Sequence, residues 1–162
     1  MSNPQDKQEL HNHIVAAAEG DENSWRFLVD AYSHRVFALI RSKCGNEELA
    51  EEITQSTFCT IAQKLAGYTE TGKFEAWIFR IAMNRMRDEM RRRKRHAVPM
   101  ENEMIGVFSK GVSDDLNDEE GVKVIERLRA AVRQLSSSDQ DIIYMRHSAG
   151  TSSQQIADVL GE

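Results

Sequence analysis

The sequence predicts an all-α protein with two small helical domains joined by an acidic linker. Apolar residues recur every three or four positions through most of the 162 residues, as they do in amphipathic helices. Glycines and N-capping residues separate these stretches. Between residues 96 and 120 the periodicity is lost and acidic residues predominate, which indicates a flexible linker. We therefore predict domains at residues 1–95 and 121–162.

The composition is that of a soluble globular protein, with 40% hydrophobic and 29% charged residues. No apolar run approaches the roughly 20 residues that a membrane span needs. The first nine residues are polar and lack the apolar centre of a signal peptide. These features predict a cytoplasmic protein without membrane insertion. In that reducing compartment Cys44 and Cys59 are expected to be free thiols.

The first domain is predicted to begin with three helices. A short helix covers residues 8–18, and Ser24 is the predicted N-cap of a longer helix that Gly45 stops. Asn46 is placed to cap the third helix, which runs to about residue 66. One side of this third helix is acidic and amide-rich. Such a side is typical of a solvated surface, and it also suits docking of a basic partner. Its polar residues are Glu48, Glu52, Gln55, Cys59 and Gln63.

The fourth predicted helix, residues 73–95, begins amphipathic and ends in a block of positive charge. No proline or glycine interrupts it. The segment from Arg80 to Arg95 contains eight basic and two acidic residues, which gives it a charge of +6, whereas the whole chain has a net charge of −5. At about 100° per residue, a core-facing stripe contains Phe74, Ile78, Ile81 and Ala82. The adjoining stripe contains Trp77, Arg80, Asn84, Arg87 and Arg91. This stripe presents one aromatic ring, one amide and three guanidiniums, which are groups that bind bases and phosphates. A basic helix end that is only solvated would show the same pattern.

The second domain is predicted to contain three helices. The first covers residues 122–135, and Ser136 to Ser138 supply the caps of the next. After a turn at residues 147–150, Thr151 or Ser152 caps a last helix that Gly161 ends. Helix, glycine-containing turn and short helix is how a helix-turn-helix begins.

The motifs of common active sites are missing from the sequence. It has no glycine-rich phosphate loop, no Gly-x-Ser-x-Gly and no His-Glu-x-x-His. His11 and His13 lie near the amino end with no third metal ligand close by in sequence. We therefore expect neither an enzyme nor a cofactor or metal site.

Three stretches resemble the extracytoplasmic-function sigma factors of bacterial RNA polymerase. Residues 50–58, Ala-Glu-Glu-Ile-Thr-Gln-Ser-Thr-Phe, are similar to the helix that opens the polymerase-binding part of sigma region 2. The promoter-contacting part of region 2 is resembled by Phe74-x-x-Trp77-Ile78-x-Arg80-Ile81-Ala82-x-Asn84-Arg85-x-x-Asp88-x-x-Arg91-Arg92-Arg93. Residues 135–161, which include Gly150-Thr151-Ser152-x-x-Gln155-Ile156-Ala157, are similar to the first part of region 4.

The resemblance implies a role in promoter recognition and DNA melting during transcription initiation. It implies docking of the third helix on the β′ clamp coiled coil of core RNA polymerase, contact of region 4 with the β flap, and control by an anti-sigma factor. The implied polymerase-binding residues are Glu48, Glu51, Glu52, Gln55 and Ser56. The implied DNA-binding residues are Tyr68, Lys73, Trp77, Arg80, Asn84, Arg87, Arg91 and Arg92.

The sequence departs from the family pattern at two places. Leu49 and Ser56 stand where the family usually has Asp and Glu, so the polymerase contacts are expected to be distributed differently. The sequence also stops where the recognition helix of region 4 is expected to begin. A shortened chain explains this, and so does a naturally incomplete factor. The missing recognition helix also supports an alternative function, a sigma-like decoy that occupies an anti-sigma factor or the polymerase without reading DNA.

Overall fold

Seven α-helices account for most of the residues that the computed structural model describes, 4–96 and 119–161. They are α1 (Pro4–Ala18), α2 (Glu22–Cys44), α3 (Glu47–Lys64), α4 (Phe74–His96), α5 (Glu119–Gln134), α6 (Ser137–His147) and α7 (Ser153–Leu160). One 3₁₀ turn, Leu65–Gly67, follows α3. The described residues contain no strand, so the predicted all-α class is confirmed. Most of the predicted linker, residues 97–118, lies outside the described residues.

Most helix ends follow the predicted capping residues. Gly45 ends α2 in the left-handed conformation at φ 70°, and the Asn46 side chain accepts a hydrogen bond from the backbone N–H of Leu49 to open α3. The predicted N-cap of α2, Ser24, is wrong. Asp21 caps this helix, because its carboxylate accepts from the Ser24 backbone N–H at 2.7 Å. Ser24 is buried, and its hydroxyl oxygen lies 3.0 Å from Nδ1 of His13.

Replacing Asp21 with alanine is expected to lower the free energy of unfolding, because the N-cap hydrogen bond of α2 is lost. Urea denaturation followed by circular dichroism measures this change. The matched control is Asn23→Ala, at an exposed position in the first turn of the same helix. Equal stability of the two variants would contradict the assignment of Asp21 as the cap.

The apolar core is centred on α2, which packs against α1, α3 and α4. Val36, Leu39 and Ile40 are fully buried along one side of α2. Phe79 and Ala82 of α4 are equally buried. Because α2 lies among the other three helices, it fixes where the polar faces of α3 and α4 stand on the surface.

The carboxy-terminal helices pack on this core. Helix α6 contacts α2, and α7 contacts α4. Met145, Ile156 and Val159 belong to the same buried apolar cluster as the residues of α2 and α4. Helix α5 leaves much of its apolar face in solvent, since Val124 and Leu128 are 52% and 47% exposed. The second helical unit is thus covered in part by the first.

Candidate nucleic-acid and protein interfaces

Helix α4 buries two faces and exposes a basic end. The predicted core stripe is confirmed, since Phe74, Ile78, Ile81 and Ala82 are buried. A second buried face, outside both predicted stripes, includes Phe79 and Met83. Every residue from Arg91 to His96 is exposed. Cations there lie at the carboxyl end of the helix, where its dipole favours positive charge.

Two aromatic side chains stand together beside the start of α4. The rings of Tyr68 and Trp77 lie 4.5 Å apart between centroids, and Phe74 packs 5.4 Å from Tyr68 and 5.7 Å from Trp77. Both Tyr68 and Trp77 are half-buried, so each keeps part of its surface open. They line a cleft of about 450 Å³ whose other walls are Gln63, Lys64, Gly67 and Thr69. Flat rings bordering an open cleft form a surface on which a nucleobase can stack.

The Tyr68 hydroxyl keeps its proton at neutral pH. Burial raises the pKa of Tyr68 to about 12. A protonated phenol both donates and accepts hydrogen bonds. The hydroxyl oxygen is itself buried, so Tyr68 presents its ring and not its hydroxyl to the cleft.

The remaining predicted DNA-binding residues divide into an open group and a covered group. Asn84, Arg91 and Arg92 are exposed. Arg92 donates two hydrogen bonds to Glu89, at 2.8 and 2.7 Å, and these bonds hold the pKa of Glu89 at about 2. The covered group consists of Lys73, Arg80 and Arg87; these side chains are also exposed by area, but their donors contact the carboxy-terminal helices.

The predicted polymerase-binding residues lie on α3 and are mostly open to solvent. Glu48, Glu51, Glu52 and Gln55 are exposed, whereas Ser56 is half-buried and its backbone carbonyl accepts a hydrogen bond from Thr60 at 3.0 Å. Glu52 lies 3.7 Å from Arg93 of α4, an exposed pair of little energetic weight. The acidic face of α3 thus borders the basic end of α4.

An apolar groove of about 490 Å³ lies between α2 and α3, directly beside this acidic face. Trp25, Val29, Phe37 and Phe58 supply its apolar lining, and Glu51, Gln55 and Cys59 are among its polar walls. Trp25, Val29 and Phe37 are all half-buried. Their spacing carried a signal: residues 25, 29 and 37 form a second apolar stripe on α2, next to the buried stripe at 28, 32 and 36.

Neither a metal-binding cluster nor a membrane-spanning helix occurs in the part of the chain that the structure describes. No three His, Cys, Asp or Glu side chains within it are grouped to hold an ion. None of the described helices has the length and apolar character needed to cross a bilayer.

Comparison with known proteins finds similarity to one family. The family described as Sigma-70 region 2 matches residues 28–96. The ECF RNA polymerase sigma factor SigE of Mycolicibacterium smegmatis is 38% identical over 84 residues, which cover 50% of this chain and 32% of SigE. The ECF RNA polymerase sigma factor SigW of Bacillus subtilis is 23% identical over 158 residues, which cover 93% of this chain and 84% of SigW.

A solved structure with a similar fold is that of CnrH in complex with the cytosolic domain of CnrY. It aligns with a TM-score of 0.64 and 21% identity, over 92% of this chain and 80% of that one. This likeness extends over most of the chain, and it shows that the two proteins share a fold.

Proposed function

The chain belongs to the extracytoplasmic-function sigma factors, and from that premise we propose that it binds core RNA polymerase and opens promoter DNA in transcription initiation. The observation that carries the proposal is the cleft bordered by Tyr68 and Trp77. The exposed amide of Asn84 and the basic end of α4 lie about two and about four turns further along the helix that carries Trp77. Trp77 and the basic residues belong to the same helix, α4, so the stacking surface and the positively charged surface keep a fixed spacing.

Promoter opening requires a base to leave its stack and bind elsewhere. Unstacking a base costs a few kcal/mol, and stacking on an aromatic side chain returns about 1–3 kcal/mol. Trp77 and Tyr68 supply the stacking surface, Asn84 reads a base edge, and Arg91 and Arg92 hold phosphates. In this proposal the −10 element of the promoter occupies the cleft as a single strand.

The acidic face of α3 and its apolar groove form the proposed polymerase-binding surface. Apolar walls and a charged rim are the usual anatomy of a protein interface. In this proposal the β′ clamp coiled coil lies along the groove, with Glu51 and Gln55 at its edge. The interface leaves the stacking cleft beside Trp77 free, so polymerase and DNA can be bound together.

Removing a single exposed cation tests the phosphate contacts. Arg91→Ala is expected to reduce by about 0.7 the slope of log affinity against log salt for a single-stranded oligonucleotide, because one fewer counterion is released. Fluorescence anisotropy at several salt concentrations measures this slope. Arg26→Ala, at an exposed arginine on α2, is the control and should leave the slope unchanged. An unchanged slope for Arg91→Ala would remove Arg91 from the interface.

A second candidate function is a sigma-like decoy that binds an anti-sigma factor or the polymerase and does not read DNA. It is favoured by the engagement of Lys73, Arg80 and Arg87 with the chain's own helices. CnrH was solved bound to a cytosolic domain of CnrY, so a protein partner of the anti-sigma type is also proposed for this chain. Neither candidate function is enzymatic, and none requires a cofactor.

Transcription in vitro separates the two functions. The chain is mixed with core RNA polymerase of the source bacterium and fragments of its genomic DNA, and the 5′ ends of the transcripts are mapped. A promoter-opening factor produces discrete start sites that core polymerase alone does not produce. A decoy produces none.

A further inference from the structure

The loop that carries Tyr68 is held by one of its own side chains. Residues 68–73 join the 3₁₀ turn to α4 without regular secondary structure. The Glu70 carboxylate accepts a hydrogen bond from the backbone N–H of Gly72 through Oε1, which closes a tight turn. Gly72 has a φ of 79°, a conformation that residues with a Cβ rarely adopt. Glu70 therefore fixes the path of the backbone between Tyr68 and α4.

The same carboxylate faces the hydroxyl of Tyr68. The second carboxylate oxygen of Glu70, Oε2, and the hydroxyl oxygen of Tyr68 are both buried. Burial, followed by the charge of Glu70, raises the pKa of Tyr68 to about 12, so the two groups are close neighbours. A phenol can donate and a carboxylate can accept, and buried polar groups need such partners. Glu70 is thus placed to hold the Tyr68 side chain as well as the backbone of the loop.

Glu70 points toward the protein interior and not toward solvent. Tyr32 of α2 is only 6% exposed, and its ring packs edge-on against Phe74 at 5.8 Å between centroids. Burial, and after it the charges of Glu75 and Glu70, raise the pKa of Tyr32 to about 12. A carboxylate that acts on a buried phenol of α2 must lie on the inner side of the loop. Glu70 therefore acts on both tyrosines that pack against Phe74.

A fixed loop keeps the two rings of the cleft ready for a base. The Tyr68 and Trp77 rings lie 4.5 Å apart between centroids, yet Tyr68 belongs to the loop and Trp77 to α4. A ring that had to be ordered on binding would lower the affinity for its ligand. Binding groups that are already held in place avoid that cost. The group that holds Tyr68 beside Trp77 consequently sets how strongly the cleft stacks a base.

We propose that Glu70 is the positioning residue of the stacking cleft, whose carboxylate holds residues 68–72 so that the Tyr68 ring stays beside Trp77 before any base arrives. This inference rests on the proposed function, since it concerns the same cleft. Glu70 is not among the residues that line the cleft. It acts through Tyr68 and touches no base.

Two substitutions at Glu70 separate the hydrogen bonds from the charge. Glu70→Gln keeps an acceptor oxygen for the Gly72 N–H, and its amide group can still bond the Tyr68 hydroxyl. Glu70→Ala removes both bonds and makes the same change in charge. Glu9→Ala, at an exposed position of α1, is the matched control for the substitution.

Fluorine NMR of the full chain labelled with 5-fluorotryptophan measures the ring arrangement without DNA. The chain has two tryptophans, and Trp77→Phe identifies the Trp77 signal, which leaves Trp25 as an internal reference for folding. In Glu70→Ala the Trp77 signal should move by more than its line width, because the Tyr68 ring leaves its place. In Glu70→Gln and Glu9→Ala it should stay at the wild-type position. The Trp25 signal should stay in all three.

Binding of a mixed-sequence single-stranded DNA of about 20 nucleotides, longer than one site, measures the consequence. Glu70→Ala should bind about three- to tenfold more weakly than Glu70→Gln, the factor by which ordering one side chain lowers affinity. Fluorescence anisotropy should show this ratio at every salt concentration. The slope of log affinity against log salt should be unchanged, because the phosphate contacts are intact. A chain that had lost its fold would lose the slope as well.

The outcomes separate this inference from the proposed function. If the Trp77 signal of Glu70→Ala equals that of the wild type, or if Glu70→Ala and Glu70→Gln bind the oligonucleotide equally, the positioning role is overturned and the proposed function stands. If the Trp77 signal moves but the wild-type chain binds no oligonucleotide, the proposed function fails and the inference fails with it.

A second variant keeps the test valid if Glu70→Ala also moves the Trp25 signal, which would mean a changed fold. Tyr68→Phe keeps the ring and removes only the hydroxyl that faces Glu70. It should move the Trp77 signal and leave the Trp25 signal in place. An unmoved Trp77 signal in Tyr68→Phe would overturn the role of the carboxylate in holding the ring.

Discussion

Trp77→Ala is expected to reduce promoter opening about tenfold or more while leaving core polymerase binding intact. Trp77 presents its ring to the cleft, and loss of an aromatic stacking partner costs about 1–3 kcal/mol per base. Trp77 is not among the residues that line the groove between α2 and α3. Opening is measured by 2-aminopurine fluorescence in the −10 element, and polymerase binding by co-elution in gel filtration.

Two further variants show whether the effect is one of stacking. Trp77→Tyr keeps an aromatic face and should retain most of the opening activity. If Trp77 only packed against Tyr68 and Phe74, the smaller tyrosine ring would lower the activity in proportion to its lost size. Asn84→Ala removes an exposed amide and should also impair opening, with little effect on stability. If Trp77→Ala and Asn84→Ala both open promoters as the wild type does, the DNA-binding site is assigned to the wrong surface.

Gln55→Arg is expected to lower the affinity for core polymerase about tenfold to a hundredfold. Gln55 is exposed at the edge of the apolar groove on an acidic face, and a cation there opposes the basic partner that such a face attracts. The measurement is competition with wild-type chain for immobilised core polymerase.

The control for Gln55→Arg is the same substitution at Gln8, which is exposed on α1. Gln8→Arg should compete as well as the wild type. Full retention of polymerase binding by Gln55→Arg would mean that the groove between α2 and α3 is not the docking surface. Binding of the oligonucleotide by Gln55→Arg should be unchanged, because α4 is untouched.

The helices and most of their ends could be predicted because they depend on local signals. Gly45 and Asn46 act within one turn of their own positions, and the apolar stripe of α4 follows from its period. The cap of α2 was missed because Asp21 and Ser24 are both good capping residues in the same short segment. Burial of Ser24 against His13, a tertiary contact, decides between them.

The docking of α6 on α2 and of α7 on α4 could not be predicted from periodicity. Phe79 and Met83 are apolar residues outside the predicted core stripe, so the sequence shows that a second face is available for burial. It does not show which segment covers that face. The pairs that fix the answer, such as Arg87 with Asp141, join residues 54 positions apart. Their residue types alone predict only exposed charges.

The most direct test of the proposed function is permanganate reactivity of thymines upstream of a mapped start site. Core polymerase with the wild-type chain should make thymines of the −10 element reactive, core polymerase alone should not, and Asn84→Ala should reduce the signal strongly. The proposed function is contradicted if the chain binds polymerase and no thymine becomes reactive at any mapped or candidate promoter.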